Sequence, residues 1–478
     1  MTFTFFILLI AFVLILCISF SKLLYKVGIP TLLIFLVLGM LFGSDGLGGM
    51  WFDNYRLAQN LCTVGLTFIM FYGGFGTNWK SARKVAAPAM LLSTVGVAAT
   101  TALVGIFCYF VLKLPLFESF LVGAVLSSTD AASVFSILRS RKLNLKGGLA
   151  SLLEVESGSN DPCSYMLTVL LLSFMGNNDE TSVPLMFAQQ IGLGIPIGLG
   201  IGILAKHVLL HVRFENSGLY PILVAGIALF TYALTDLVHG NAYLAVYLAG
   251  ILLGNSTIPC KHTLVHFFDS ISWMMQIFMF FTLGLLCFPS HIFQVFGISL
   301  AVFLFLTFVA RPAVVFGILS FFHYKLKAML FVSWVGLRGA ASIVFAILAV
   351  THDSAVQSDI YHIVFFVCLF SVTVQGTLLP AAAKKLNLLD DAHVNVLETF
   401  TDYSEGIGNN LKKVYIDEQY PWAGKTVAEA NIPDNILLVL IKRNSEELIP
   451  NGSTELLPGD ILILSGDSFE EVPGSEAD

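Results

Sequence analysis

Charged side chains are scarce in this chain. Asp, Glu, Lys and Arg make up 12% of its 478 residues, whereas hydrophobic residues make up 56%. A soluble domain carries about 25% charged residues, so half that share cannot solvate a surface of this size. The scarcity excludes an ordinary cytosolic enzyme, a disordered protein and a nucleic-acid-binding protein. The composition, with a mean hydropathy of +0.83, is that of a polytopic membrane protein.

Sequence features of enzymes and metal proteins are also missing. The seven cysteines are odd in number and scattered, and no pair has the spacing of metal ligands. The Gly-x-Ser-x-Gly and His-Glu-x-x-His motifs do not occur, and no paired-Asp protease motif is found. We therefore expect no enzyme activity and no bound cofactor, and we interpret the cysteines as small hydrophobic core residues.

Long apolar segments fill the first 385 residues. A membrane-spanning helix needs about 20 mostly apolar residues, and thirteen candidate segments can be counted, of which the second and ninth are short. The eleventh contains an Arg311-Pro312 pair, which predicts a break. The segments are residues 3–22, 29–43, 58–76, 85–111, 118–138, 148–174, 184–205, 219–237, 241–255, 265–287, 292–321, 327–350 and 360–382.

Basic residues in the connecting loops predict the orientation. One alternating set of loops contains 16 Lys and Arg residues, and the opposite set contains only Arg56 and Lys113. Because cytoplasmic loops are enriched in Lys and Arg, this split places the N-terminus outside and the C-terminal region in the cytoplasm. A missed or invented helix would scramble the alternation, so the split also supports thirteen spans.

The number of spans also allows an internal repeat. Spans 1–6 and 8–13 can form two six-helix units that lie seven spans apart. An odd offset makes the two units inverted relative to each other, which is typical of secondary transporters. We therefore predict an all-α membrane domain of about 13 helices with inverted six-helix repeats.

The C-terminal region has a different composition, because residues 401–478 carry 20 of the 57 charged side chains. Segments 413–417, 436–443 and 460–466 read as short strands between turn residues. These patterns predict a small α+β cytoplasmic domain. The predicted organisation is a membrane domain (1–385), a linker (386–410), a regulatory domain (411–468) and a disordered tail (469–478).

Three ionisable residues fall near the middle of predicted spans. Asp130 lies in span five, Asp161 in span six and Arg338 in span twelve. A charge at mid-bilayer costs about 2.5–3.5 kcal/mol on insertion scales. Such residues are therefore candidates for function.

Helical spacing places further polar residues near Asp161. Glu154, Ser157 and Asp161 share one helix face, and Glu156 and Asn160 share the neighbouring face. The carboxylate, hydroxyl and amide oxygen atoms of these residues are hard donors. Such donors suit Na⁺ or K⁺ better than zinc or copper. The pattern predicts a monovalent cation site at Asp161.

Other residues in the same segments have a structural alternative. Gly158 and Pro162 predict a weakened helix whose freed carbonyls could bind a cation. Asp130 could instead tie down an unwound backbone. Glu156 and Arg338 are predicted to form a buried ion pair that locks spans six and twelve. Glu154 is a secondary candidate for the ion site, and Arg311 is predicted to be an anchor or a partner in span eleven.

The motifs STDAASVFS (128–136), ESGSNDP (156–162) and GLRGA (336–340) resemble those of the NhaP-type branch of monovalent cation/proton antiporters. The resemblance covers nearly all of residues 1–385. It implies a thirteen-helix fold, a homodimer and an elevator-like motion of a core domain. It also implies a role for each site residue: Asp161 as the ion-binding carboxylate, Thr129, Asp130, Ser157 and Asn160 as helpers, and Glu156 and Arg338 as a structural ion pair.

Residues 411–468 resemble the C-terminal lobe of RCK (TrkA-C type) regulatory domains. The pairing of this lobe with an antiporter is similar to the potassium/proton subgroup. We expect this lobe to bind a small regulatory ligand, with a nucleotide as one candidate, or alternatively only to mediate contact between subunits. Asn160, which precedes Asp161, stands where some antiporters of the wider group carry a second carboxylate, and the Asn form goes with electroneutral exchange.

The expected function is the exchange of K⁺, or alternatively Na⁺, for H⁺ in potassium and pH homeostasis. A proton-coupled solute symporter is the other alternative. A channel is disfavoured because no pore-loop repeat such as TVGYG is present. The expected location is the bacterial inner membrane, with membrane lipid and a second copy of the chain as partners and no nucleic acid.

Overall fold

The computed structural model divides into two compact units, residues 1–400 and 401–478. The predicted tail 469–478 and most of the predicted linker lie outside the described residues. The structure describes residues 4, 8, 11–19, 31–46, 48–141, 143–175, 183–352, 356–389, 411–417, 420–433, 436–443 and 446–466.

The first unit is helical. Its N-terminal half contains α1 (11–19), α2 (Thr31–Phe42), α3 (Tyr55–Gly76), α4 (Trp79–Ser93), α5 (Val95–Phe110), α6 (Leu116–Val125), α7 (Ala131–Ser140), α8 (Leu149–Met175) and α9 (Val183–His211). Its C-terminal half contains α10 (Leu219–Leu237), α11 (Ala242–Gly254), α12 (Lys261–Leu285), α13 (Ile292–Phe305), α14 (Arg311–Leu319), α15 (Leu326–Trp334), α16 (Ala340–Thr351), α17 (Ile360–Phe370) and α18 (Thr377–Lys385).

Six helices of the described residues are long and apolar enough to cross a membrane. These are Ala82–Phe110, Pro184–His211, Leu219–Leu237, Lys261–Leu285, Phe293–Phe322 and Ile360–Lys385. Four apolar helices are shorter, namely Leu32–Phe42, Leu116–Val125, Ala242–Gly254 and Ala340–Thr351. Leu32–Phe42 and Ala242–Gly254 correspond to the second and ninth predicted spans, which are short, whereas the other two belong to predicted spans five and twelve.

Predicted spans five and twelve are each divided into two helices. The backbone is not helical over 126–130, between α6 and α7, or over 335–339, between α15 and α16. Predicted span four bends at Thr94, whose hydroxyl donates to the Met90 carbonyl oxygen (2.6 Å), a bond that bends helices. Spans that look continuous by hydropathy therefore differ in their backbone continuity.

Two predicted interruptions were wrong. Helix α8 runs unbroken through Gly158 and Pro162, since a proline is tolerated in a helix that is packed among other helices at membrane depth. Asn241 Nδ2 donates to the Pro162 carbonyl oxygen (2.8 Å) and so ties this turn of α8 to the start of α11. At Arg311 the helix does not break but passes through a π-helical turn, Leu306–Ala310.

Two apolar cores fill the membrane unit. One core lies mainly among α3, α11, α12, α16 and α17, and it contains Phe71, Phe268 and Phe365. The other lies among α4, α7, α8, α14 and α15, and it contains Leu152 and Phe331. The N-terminal part of α8 therefore lies in the second core, whereas Leu172 of the same helix lies in the first.

The second unit contains a four-stranded antiparallel sheet in the order β1-β4-β2-β3. The strands are β1 (Leu411–Tyr415), β2 (Ile436–Arg443), β3 (Glu446–Leu448) and β4 (Ile461–Gly466). Trp422, Ile441 and Leu462 lie in its core. The sequence patterns missed β3, which is short and begins with two glutamates, and the helical part expected of this domain is not found between 411 and 466 in the residues described.

Candidate functional site

The two interrupted spans meet at their unwound segments. The backbone N–H of Asp130, at the end of 126–130, donates to the Leu337 carbonyl oxygen in 335–339 (2.8 Å). Backbone that is not helical at membrane depth is tolerated only where protein or a cavity surrounds it. The crossing of the two segments therefore marks a candidate site in the interior of the bundle.

Arg338 holds this crossing together. Its side chain is 2% exposed, and Nη1 donates to the Ser128 carbonyl oxygen (2.7 Å). Its backbone N–H donates to Ser371 Oγ (3.1 Å), and that hydroxyl donates to Gln375 Oε1 (2.5 Å). The positively charged guanidinium of Arg338 thus lies at the C-terminal end of α6, where the helix dipole is negative.

The predicted ion pair between Glu156 and Arg338 was wrong. Glu156 Oε1 instead accepts a bond from Nη1 of Arg311 (2.6 Å), and both side chains are buried. The π-helical turn before Arg311 adds one residue, which rotates the following side chains by about 100° around the helix axis. Arg338 lies in an unwound segment, and its position near the middle of a predicted span did not determine which charged group its side chain meets.

Asp130 caps the N-terminus of α7. Its Oδ1 accepts from the Ser133 backbone N–H (3.1 Å) and its Oδ2 accepts from the Ser133 hydroxyl (2.5 Å). A carboxylate at this position satisfies a free backbone donor and faces the positive end of the helix. These contacts agree with the alternative that Asp130 ties down unwound backbone. The same carboxylate also lines a cavity.

Two glycines of the GLRGA motif make room for these charged side chains. A Cβ atom at Gly339 would collide with the carboxylate of Asp130, and one at Gly336 would lie 2.9 Å from Arg311 Nε. A larger residue at either position would displace a charged group. The glycines thus follow from close contact with side chains at the crossing.

Ser157 and Asn160 of α8 satisfy the backbone around Thr129. The Ser157 hydroxyl accepts from the Ala131 N–H (2.9 Å) and donates to the Thr129 carbonyl oxygen (2.7 Å). Asn160 Oδ1 accepts from the Thr129 N–H (3.3 Å), and its Nδ2 donates to Thr129 Oγ1 (2.5 Å). These two side chains fix the unwound segment against α8.

Asp161 has a different environment. It accepts a hydrogen bond from the Ser128 hydroxyl, and among the residues that the structure describes it forms no ion pair. Its side chain lines a cavity of about 170 Å³, which is also lined by Asp130, Ser157 and Glu154. The two carboxylates, the hydroxyls and nearby backbone form a set of hard oxygen donors that suits a monovalent cation.

Some lining residues were not predicted. Ser128, at the start of the motif that contains Asp130, was not assigned to the site. Asp269 was not assigned to it either, yet it lies within α12, lines the cavity and accepts from the Tyr72 hydroxyl (3.1 Å). The only sequence signal for Asp269 was a charge within an otherwise apolar segment.

Comparisons with known proteins agree on the type of protein. Residues 8–385 match the family described as "Sodium/hydrogen exchanger, transmembrane", and residues 411–468 match the TrkA-C domain. The K(+)/H(+) antiporter NhaP2 of Shewanella sp. (strain ANA-3) is 36% identical over 92% of this chain and 77% of its own length. The K(+)/H(+) antiporter NhaP of Alkalimonas amylolytica is 36% identical over 76% of this chain and 63% of its own length.

A solved structure has the same fold. The sodium proton antiporter MjNhaP1 of Methanocaldococcus jannaschii, solved at pH 8, covers 81% of this chain and 99% of its own chain with a TM-score of 0.71. The two chains are 24% identical, so this likeness concerns the fold alone.

Proposed function

The chain belongs to the sodium/hydrogen exchanger family, and we propose that it exchanges K⁺ for H⁺, with Asp161 binding either ion in turn. As a member of this family it is an integral membrane transporter for cation/proton exchange and not an enzyme. The observation that carries the finer proposal is the position of Asp161, which faces a polar cavity and forms no ion pair among the described residues.

The mechanism requires only one competitive site. An ionised carboxylate inside a low-dielectric bundle is costly, so the site crosses readily only when a proton or a cation neutralises it. An empty, charged site stays on its side of the membrane. Exchange follows from that restriction, by alternating access of the site to the two sides.

A single carboxylate makes the exchange electroneutral. One cation replaces one proton, so no net charge moves and the membrane potential does no work. The driving force of the proton is then about 1.4 kcal/mol per pH unit. Two protons per cation would instead add about 2.3 kcal/mol per 100 mV.

The neighbours of Asp161 have supporting roles in this proposal. Asp130 and the Ser128 hydroxyl provide further oxygen atoms beside the cation. Ser157, Asn160 and Thr129 hold the unwound segment that shapes the site. Glu154 is a secondary candidate at the cavity wall.

The wider architecture is also proposed. Thirteen spans in two inverted six-helix repeats are supported by the two interrupted helices, which fall in predicted spans five and twelve and thus seven spans apart. Such repeats support an elevator-like motion, and a homodimer is proposed by resemblance to the family.

The cellular arrangement follows the loop charges. We place the chain in the bacterial inner membrane with its N-terminus outside. The exchanger domain would comprise 1–385, the linker 386–410 and a cytoplasmic regulatory domain 411–468. This last domain would bind a small regulatory ligand, with a nucleotide as one candidate.

Selectivity for K⁺ is supported by two observations. The two relatives described above are named K(+)/H(+) antiporters, and the chain carries a TrkA-C domain. Na⁺ is the alternative cation, because K⁺ and Na⁺ use the same type of ligand and differ in size and hydration. A proton-coupled solute symporter would need further groups matching its solute.

The test is reconstitution of the full chain in vesicles with a lumenal pH dye, while K⁺ or Na⁺ is added at clamped potential. A K⁺-dependent pH change that is insensitive to voltage supports the proposal. A response to Na⁺ alone overturns the K⁺ preference but keeps the antiporter. A voltage-dependent response overturns the 1:1 stoichiometry, and the absence of any response in folded protein favours the symporter.

A further inference from the structure

A second cavity lies on the opposite side of α8 from the ion cavity. It has a volume of about 700 Å³, within the range of sites that hold drug-sized or larger apolar ligands. Its walls come from α4, α5, α8, α9 and α11. The cavity therefore lies where the packed pair α4 and α8 meets the packed pair α9 and α11.

The lining of this cavity is apolar and reaches the lipid-facing surface. Met90, Val95 and Phe187 line it and are 49%, 53% and 43% exposed. Along α4 and α5 the lining runs from Trp79 to Ala98, which at 1.5 Å per residue is about 28 Å. This length is close to the hydrocarbon thickness of a whole bilayer, and one acyl chain of a phospholipid spans about half of that thickness. The cavity is therefore long enough to hold an acyl chain along its walls.

The end of the cavity at the start of α4 has a different chemistry. Trp79 lines it and is 51% exposed, and tryptophan is enriched at the level of lipid headgroups. Lys80, Arg83 and Lys84 follow with exposed side chains, and their spacing puts them on one helix face. Basic residues at this level attract anionic lipids by about fivefold in affinity each.

We propose that this cavity is a binding site for an anionic phospholipid. One acyl chain occupies the cavity between the two helix pairs, and the phosphate group contacts Lys80, Arg83 and Lys84. The three basic side chains lie on a face of α4 next to the one that lines the cavity. The positive cluster beside the Trp79 end and the apolar cavity match the two parts of such a lipid. A neutral phospholipid fits the cavity but lacks the charge for the cluster.

The site is connected to the ion cavity through shared walls. Tyr247 lines both cavities. On α8, Asp161 lines the ion cavity, whereas Pro162 and Cys163 line the lipid cavity. An acyl chain here contacts the helix that carries the ion-binding carboxylate, so lipid occupancy regulates exchange. This consequence rests on the proposed function.

The test measures lipid binding separately from transport. The detergent-solubilised full chain is equilibrated with equal amounts of phosphatidylglycerol and phosphatidylcholine and passed through gel filtration, and the retained lipid is quantified by mass spectrometry. Ala86→Phe fills the cavity, whereas Ala87→Phe adds the same volume at the next position, which is exposed and outside the lining. A triple variant, Lys80→Gln/Arg83→Gln/Lys84→Gln, removes the basic cluster. Lys325→Gln/Lys327→Gln removes exposed charges at the start of a different helix, α15.

The wild type is expected to retain phosphatidylglycerol in preference to phosphatidylcholine. The triple variant should lower that ratio by fivefold or more, and Ala86→Phe should remove most of the retained lipid. Both control variants should behave like the wild type. Equal retention of the two lipids by the wild type, or unchanged retention in Ala86→Phe and the triple variant, overturns the proposal. If the wild type retains phosphatidylglycerol but exchanges no cation, the lipid site stands and the proposed function fails.

Discussion

Of the three carboxylates on helix α8, Glu156 and Asp161 differ in how their charge is balanced. Glu156 is 1% exposed and pairs with Arg311, which is also buried. Asp161 accepts a hydrogen bond from the Ser128 hydroxyl and faces a cavity that is also lined by a second carboxylate, Asp130. The charge of Glu156 is thus balanced by a fixed partner and that of Asp161 is not, although only five positions separate the two residues.

Under the proposed function, this difference separates a structural role for Glu156 from a transport role for Asp161. A buried carboxylate with a fixed cation beside it gains nothing from a mobile ion, and its removal leaves an unpaired charge. A carboxylate that faces a cavity without such a partner can be neutralised by an ion that enters. Charge balance, more than depth in the membrane, therefore distinguishes the two roles.

The largest expected effect comes from removing the unbalanced charge. Asp161→Asn is nearly isosteric and keeps a hydrogen-bonding partner for Ser128, but it can bind neither a proton nor a cation by charge. We expect cation-driven pH changes in vesicles to fall to the level of protein-free vesicles while the protein elutes as folded. Asp53→Asn, at an exposed position, is the control and should exchange normally. Exchange retained by Asp161→Asn would contradict the mechanism.

The balanced pair should respond in stability. Glu156→Gln or Arg311→Gln alone leaves one buried charge without its partner, which costs about 3–5 kcal/mol. The double variant removes both charges and should recover most of that loss. Thermal unfolding of the four proteins in detergent measures the coupling. If the double variant is as unstable as the sum of the singles, the pair has no coupling energy.

A smaller effect is expected at the residues that satisfy the unwound backbone. Asn160→Ala leaves the buried N–H and hydroxyl of Thr129 without their partner, which costs about 1–3 kcal/mol. Thermal unfolding should show this loss, together with slower exchange. Ser173→Ala on the same helix is the control, because that hydroxyl bonds only within α8, to Val169. Equal losses of thermal stability in the two variants would show that the contacts of Asn160 with Thr129 contribute no more to stability than a hydrogen bond within the helix.

The smallest effect is expected at an ion pair outside the membrane. Arg443 Nε and Nη2 donate to the two carboxylate oxygens of Asp460, each at 2.7 Å. Burial raises the pKa of Asp460, but the hydrogen bonds from Arg443 and from the Leu457 N–H outweigh it and hold the pKa below its ordinary value. The pair therefore stabilises the fold above the pKa of an unfolded Asp, and the stabilisation is lost as pH falls through the lowered pKa.

Arg443→Leu removes the main group that lowers this pKa. The acid unfolding of the C-terminal unit should move to higher pH, with a loss of about 1 kcal/mol near neutral pH. Fluorine NMR of the full chain labelled with fluorotryptophan can follow Trp422, which is buried in the core of this unit. An unchanged acid transition would show that Asp460 does not depend on Arg443.

Sequence reasoning succeeded where local chemistry decides the outcome. The hydropathy of the chain predicted a helical membrane protein, and the family and its TrkA-C domain were recognised from short motifs. The helix over 149–175 agrees with the predicted span to within one residue. Periodicity on that helix also grouped Ser157 with Asp161, and the structure places both at the same cavity.

Sequence reasoning failed where an irregularity of the backbone interrupts a helix or changes the direction of its side chains. Pro162 suggested a break that neighbouring helices prevent, whereas the interruption at 126–130 carries no proline or glycine. The partner of Glu156 was misassigned because the π-helical turn before Arg311 and the unwound segment at Arg338 both redirect side chains. Such irregularities depend on tertiary partners far away in the chain, which no local pattern contains.

The crossing of the two interrupted helices has a consequence for the synthesis of the protein. Helices enter the membrane in chain order, so the polar backbone at 126–130 arrives long before its second partner. Ser157 follows within 28 positions and can bond Thr129 early, whereas Arg338 lies 210 positions after Ser128. The nascent chain must hold a half-satisfied segment inside the bilayer until nearly the whole exchanger has been made. Assembly of the ion site is thus a late event in biogenesis, and truncated chains cannot complete it.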